Sequence, residues 1–94
     1  MKRYLFYVYI VGNYTGTLYI GVTNNLQRRL SQHTFSTFKD SFTSRYRIKR
    51  LLYFEEFNDI RVAIGREKQI KRWSRVKKLD LIRTKNPSFE DLRG

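Results

Sequence analysis

The 94-residue chain has no cysteine, one proline and one histidine. Without cysteine it can form neither a disulfide nor a thiolate metal site, and nothing argues for export to an oxidising compartment, so a cytoplasmic protein is expected. A single histidine excludes a multi-histidine metal centre. No Ser/His/Asp or Cys/His set is present, and the glycine patterns of P-loop and dinucleotide-binding folds are missing. Long hydrophobic runs are absent too. The longest, from Tyr4 to Val11, is far short of the ~18 residues that span a bilayer, which argues against a membrane role. Met1, Lys2 and Arg3 lead into that run without a small-residue cleavage site, so a strand is expected there rather than a signal peptide. Acidic residues are scarce: eight against twenty Lys and Arg, a net charge of +12. That lies well beyond the ~2–8 that solubility asks of a small domain. Such a field draws polyanions, nucleic acid above all.

Hydrophobic residues make up 40% of the chain and aromatic residues 16%, enough for a folded core. The length fits one domain over residues 1–94. Tyr4 to Val11 is rich in β-branched and aromatic residues and lacks polar alternation, so it reads as a strand buried on both faces. Gly12 to Gly16 reads as a turn and Thr17 to Gly21 as the return strand of a hairpin. A three-residue loop over Asn13–Thr15 would place Tyr9 directly opposite Tyr19 on one face. Thr23 or Asn24 then caps a helix to about Thr34, with Leu26, Arg29, Leu30 and His33 on one side. Arg28 points elsewhere, into solvent. Phe35 to Arg47, which contains Arg45, has no period and reads as a loop of the length that usually carries function.

Ile48 to Phe57 reads as a third strand. Asn58 or Asp59 caps a second helix to about Ser74. On it Ile60, Ala63, Glu67 and Ile70 share a narrow stripe, while Arg61, Lys68, Lys71 and Arg72, with Arg75 beyond, gather on a neighbouring face. A shorter helix from Lys77 to about Thr84 ends at Asn86-Pro87. The expected class is α+β, a small three-stranded antiparallel sheet flanked by helices.

Three groups stand out chemically. Glu67 sits in an apolar stripe, where a carboxylate needs a partner; an ion pair with an arginine and a bound cation both answer that need. Arg29 and His33 could be a snorkelling arginine and a satisfied histidine, or a clamp on phosphate oxygens. The seven tyrosines could be sheet packing, or include a base whose proton is drawn off by neighbours. The basic helical face contacts either phosphates or solvent.

Taken together, Tyr7-Val8-Tyr9, a turn, Tyr19-Ile20-Gly21, then Arg29, His33 and a lone helical Glu67 resemble the GIY-YIG nuclease superfamily. The likeness is strongest to the small stand-alone bacterial branch, the UPF0213 or excinuclease-C-like proteins. It is carried also by Leu18–Leu26, Arg50–Glu55, Ala63–Trp73 and Asn86–Leu92, and covers nearly the whole chain. The resemblance implies hydrolysis of DNA phosphodiester bonds with a single Mg²⁺ or Mn²⁺ ion. By position, Tyr9 and Tyr19 match the paired tyrosines, one of which deprotonates or positions the attacking water. Arg29 matches the arginine on the scissile phosphate, and His33 a place held by His or Tyr. Glu67 matches the carboxylate that binds the metal. Asn86 lies near a late Asn of some members. The chain departs from the pattern in reading Tyr-Val-Tyr for Gly-Ile-Tyr, and in carrying Val22 where some members have Lys. The expected partner is DNA, held through its backbone by Arg28, Arg45, Arg61, Lys68, Lys71, Arg72 and Arg75, with RNA an alternative. The rival reading is a non-catalytic nucleic-acid-binding module on the same scaffold.

Overall fold

The computed structural model describes residues 4–12, 18–30 and 50–93. Strands β1 (Phe6–Gly12), β2 (Leu18–Thr23) and β3 (Arg50–Phe57) form an antiparallel sheet in the order β2-β1-β3. Residues 26–30 are helical (α1). Two helices follow the sheet, α2 (Ile60–Arg72) and α3 (Arg75–Lys85). This is the expected α+β architecture. Among the described residues no helix is long and apolar enough to cross a membrane.

β1 is apolar throughout because both its faces are covered. Val8, Tyr9, Ile10 and Val11 are each at most 2% exposed. Val8 and Ile10 pack with Ile20, Leu52 and Tyr53 against Ala63, Ile70 and Ile82 of α2 and α3. Tyr9 and Val11 pack on the opposite face with Leu51 and with Leu26 and Leu30 of α1. Each fully buried aliphatic side chain contributes about 1.5–3 kcal/mol. The stripe expected on α2 is shorter than its spacing predicts, since Ile60 at its start is 39% exposed. On α3, Val76 is 67% exposed. That helix begins earlier, at Arg75, capped by Ser74, whose Oγ accepts from the Lys77 N–H.

The hairpin register differs from expectation by two residues. Gly12 pairs with Leu18, so Tyr9 faces Gly21 and Tyr19 faces Val11. A slip of two keeps every side chain on its own face, so the two tyrosines are diagonal neighbours instead of direct ones. β2 also runs through Gly21 to Thr23, not ending at the glycine. The turn into α1 is then made by Thr23 and Asn25. The Thr23 hydroxyl accepts from the Asn25 N–H at 3.1 Å, and Asn25 Oδ1 accepts from the Arg28 N–H at 3.1 Å. The cap is thus Asn25, one residue beyond the expected pair. Asp59 caps α2 as the sequence indicates.

Against β1, the ladder of β3 shifts register between Ile10 and Val11 and passes over Leu52. This bulge turns Leu52 and Tyr53 to the same core while Leu51 returns to the other. Residues 86–93 lie along the outer side of β3. Leu92 N–H donates to the Leu51 carbonyl at 2.8 Å, and the Leu51 N–H donates to Asp91 Oδ1 at 3.1 Å. Buried Asn86 donates from Nδ2 to the carbonyls of Leu52 and Glu90, and its Oδ1 accepts from the Glu90 N–H. The turn it sets holds Phe89 at a positive φ of 53°, a cost that the ring offsets by packing on the core.

Candidate active site

Gly21 is where the site begins. A methyl group placed on it would lie 2.6 Å from Cζ and 2.9 Å from Cε2 of Tyr9, and closer still to the Tyr9 hydroxyl. The Tyr9 ring therefore crosses the β2 backbone at its partner residue, over the one position without a side chain. Backbone freedom is not the reason for this glycine. Its hydrogen atom is the only substituent that leaves room for the ring.

Crossing β2 carries the phenol toward groups from three other elements. Burial pushes its pKa up to about 12; the Arg29 guanidinium pulls it down, and Tyr19 and Glu67 push it further up. The phenol thus lies within electrostatic reach of groups on β2, α1 and α2. Tyr9 itself is 1% exposed, whereas Tyr19 is 45% exposed. Arg29 is exposed as well, yet its guanidinium is near enough to act on the Tyr9 phenol. Glu67 is the inward member on α2, its side chain 15% exposed. Its cation partner is Lys71, one helical turn on at 3.5 Å, not an arginine. An i, i+4 pair of this kind is written in the sequence.

Of the expected phosphate-contacting residues, Arg28, Arg61, Lys68, Lys71, Arg72 and Arg75 are all exposed. Arg61 also reaches Asp59 at 3.4 Å. His33, Arg45 and the expected loop from Phe35 to Arg47 lie outside the described residues. Gly65 has nothing within 4 Å of where a side chain would start, so it serves no close packing.

A second polar cluster had no counterpart in the sequence reading. Arg66 bonds Glu55 in bidentate fashion, Nε to Oε1 and Nη2 to Oε2, both at 2.9 Å. The Tyr53 hydroxyl donates to the same carboxylate. Burial alone would raise the Glu55 carboxyl; the bonds from Arg66 and Tyr53 outweigh it and hold the group below its ordinary range. Tyr53 answers in kind, pushed up to about 12 by burial and by its bond to Glu55. Both oxygens of Glu55 are thereby held by partners within the fold. Tyr53 and Glu55 are two residues apart on β3 and Arg66 lies 11 residues beyond Glu55, and only Arg66–Gln69 on α2 shows a helical spacing.

Among the described residues no three His, Cys, Asp or Glu side chains cluster as a metal cage. Glu67 is a single carboxylate beside phenols and an exposed arginine. That donor set suits a hard ion such as Mg²⁺, which keeps several waters and takes only one or two carboxylates.

The model of the GIY-YIG catalytic domain matches residues 5–80. A UPF0213 protein of Clostridium perfringens is 40% identical over 85 residues, 90% of each chain. One from Syntrophus aciditrophicus is 37% identical over 81 residues, 86% of this chain and 92% of its own. In three dimensions the fold is similar to the solution NMR structure of a UPF0213 protein from Bacillus halodurans. The TM-score is 0.60 at 30% identity, covering 94% of this chain and 93% of that one.

Proposed function

The chain belongs to the GIY-YIG family, in its UPF0213 branch, and on that premise we propose that it is a metal-dependent endonuclease that hydrolyses DNA phosphodiester bonds. The observation that carries this reading is the Tyr9 ring lying over Gly21 of β2, where Arg29, Tyr19 and Glu67 all act on its phenol. Glu67 would hold the ion. A Mg²⁺ bound there would neutralise charge that builds on the phosphate during in-line attack.

The protein's own groups divide the remaining work by exposure. Exposed Arg29 offers a planar fork of donors to two phosphate oxygens. Tyr9 keeps its proton across the physiological range, because burial holds its pKa near 12. It acts as a hydrogen-bond donor that fixes its neighbours. Tyr19, open to solvent, orients or deprotonates the water whose oxygen bonds to phosphorus as the opposite P–O bond breaks. Lys71 is the counter-ion of Glu67 until a metal takes that place. The cations of α1 and α2 grip the backbone without reading bases; RNA would meet the same cations.

Nicking of supercoiled plasmid in Mg²⁺ tests this. Glu67→Ala should cut at least about a hundredfold more slowly than wild type, the scale of losing one electrostatic element of a site. Equal cleavage by both proteins would defeat the assignment. Cleavage by neither, across DNA and RNA substrates, would leave the binding module as the better reading.

A further inference from the structure

On the α1 face of the sheet, beside the Tyr9 row, lies an open groove of about 390 Å³. Tyr7, Phe54 and Glu56 of the sheet line it, with Asn24, Asn25 and Gln27 from the start of α1. Tyr7 pairs with Glu56 across β1 and β3 just as Tyr9 pairs with Phe54, so the groove continues the row that holds the buried phenol. Tyr7 is two residues from Tyr9, about 7 Å along the strand. The Tyr7 and Phe54 rings meet edge to face, with centroids 6.3 Å apart, and both are half-buried. The volume falls within the ~300–1,000 Å³ of small-ligand sites.

Glu56 is the unusual member. Glu55, Asp59, Glu67, Asp80 and Asp91 each pair with Lys or Arg. Glu56 has no ion pair or hydrogen bond among the described residues, although the chain carries twelve excess positive charges; the Glu90 carboxylate shares that state but lies outside the groove. A free carboxylate repels phosphate and accepts from N–H groups. Ring surface, side-chain amides and that carboxylate together suit a planar heterocycle with donors on its edge, and exclude the backbone that Arg28 and Arg29 attract. Of the unpaired DNA bases, guanine presents two adjacent donors, N1–H and the 2-amino group, which match the two oxygens of one carboxylate.

We propose that this groove is a base subsite for an unpaired guanine, held against Tyr7 and Phe54 and hydrogen-bonded to Glu56. The inference rests on the nuclease reading only for the presence of a nucleic-acid strand. Extruding a base costs least where it is already unpaired, so gaps, flaps and single strands are favoured over intact duplex. Sequence preference then arises from one base next to a backbone grip that has none.

Metal-free equilibrium binding to short gapped duplexes tests it, with guanine, hypoxanthine or thymine as the single unpaired base. Guanine should bind about three- to tenfold more tightly than hypoxanthine, which lacks the 2-amino donor, the worth of one hydrogen bond. Glu56→Gln, at an exposed position where folding is undisturbed, should abolish that difference. It should also tighten binding to the thymine duplex, because a negative charge is lost. Equal wild-type affinities, or a guanine preference that survives Glu56→Gln, would overturn the subsite and leave the nuclease proposal standing. A guanine preference without any cleavage in Mg²⁺ would do the reverse. Failure to bind any of these duplexes would sink both.

Discussion

β3 and β2 flank the same central strand and are finished in different ways. Along β3, Leu51 and Leu52 have their polar groups taken up by residues 86–92, Glu55 by Arg66, and Tyr53 by Glu55. Around β2, a buried phenol meets a half-exposed phenol, an exposed guanidinium and an inward carboxylate. Both regions contain a tyrosine pushed up to about 12 and a glutamate with a cation partner. A perturbed group is therefore no sign of function by itself. What separates the two is access. Glu55 is gripped by a bidentate arginine at 2.9 Å, whereas Glu67 has one lysine at 3.5 Å that is itself 53% exposed.

The sharpest way to break the comparison is to fill the space under the Tyr9 ring. Gly21→Ala should displace the phenol and slow plasmid nicking by roughly a hundredfold, the scale of a misplaced catalytic group. The stability cost should be about 1–3 kcal/mol, as for an overpacked core. Normal nicking would show that the ring's position does not matter. On the other edge Asn86→Ala should show the opposite profile. It strips three hydrogen bonds from a buried turn and should cost about 2–3 kcal/mol in urea unfolding. Nicking per folded molecule should be unchanged.

Alkaline titration followed by tyrosine ultraviolet absorbance sharpens the contrast further. Tyr9 and Tyr53 should ionise last, near 12. Because both folded values lie above the ordinary ~10, their contribution to stability is whole below about pH 10 and is lost as pH rises toward 12. Glu67→Gln should bring Tyr9 down and leave Tyr53 where it is; movement of both would mean that the two regions are coupled. The smallest effect is expected at Gly65→Ala. With open space at that position, the change should raise thermal stability by up to about 1 kcal/mol, and it should leave nicking untouched.

The sequence revealed faces better than distances. The unbroken apolar run of β1 forecast its two covered faces, and strand alternation kept Tyr9 and Tyr19 on one side even though the register was misjudged. The register depended on the length of a turn, which no apolar pattern records. Gly21 reads as a strand end, because a glycine that makes room for a ring and one that ends a strand look alike in one dimension. Asp59 was legible as a cap, since its bonding partner is two residues away. Asn86 was legible as the end of the last helix, but the work of its side chain was not, because that is to meet the carbonyl of a bulged residue 34 positions earlier. The Glu55–Arg66 pair was hidden for the same reason. Lys71 could have been found from its spacing to Glu67 alone.

The bonds from Asp91 and Leu92 to Leu51 also bear on how this protein behaves in a crowd. An uncovered outer strand is a template that a neighbouring molecule can copy, and the first step toward fibres. Here both backbone groups of Leu51 are already engaged. Cutting the chain after Lys85 would strip that cover from an apolar stretch, Leu51-Leu52-Tyr53-Phe54, and leave its backbone open to a passing strand.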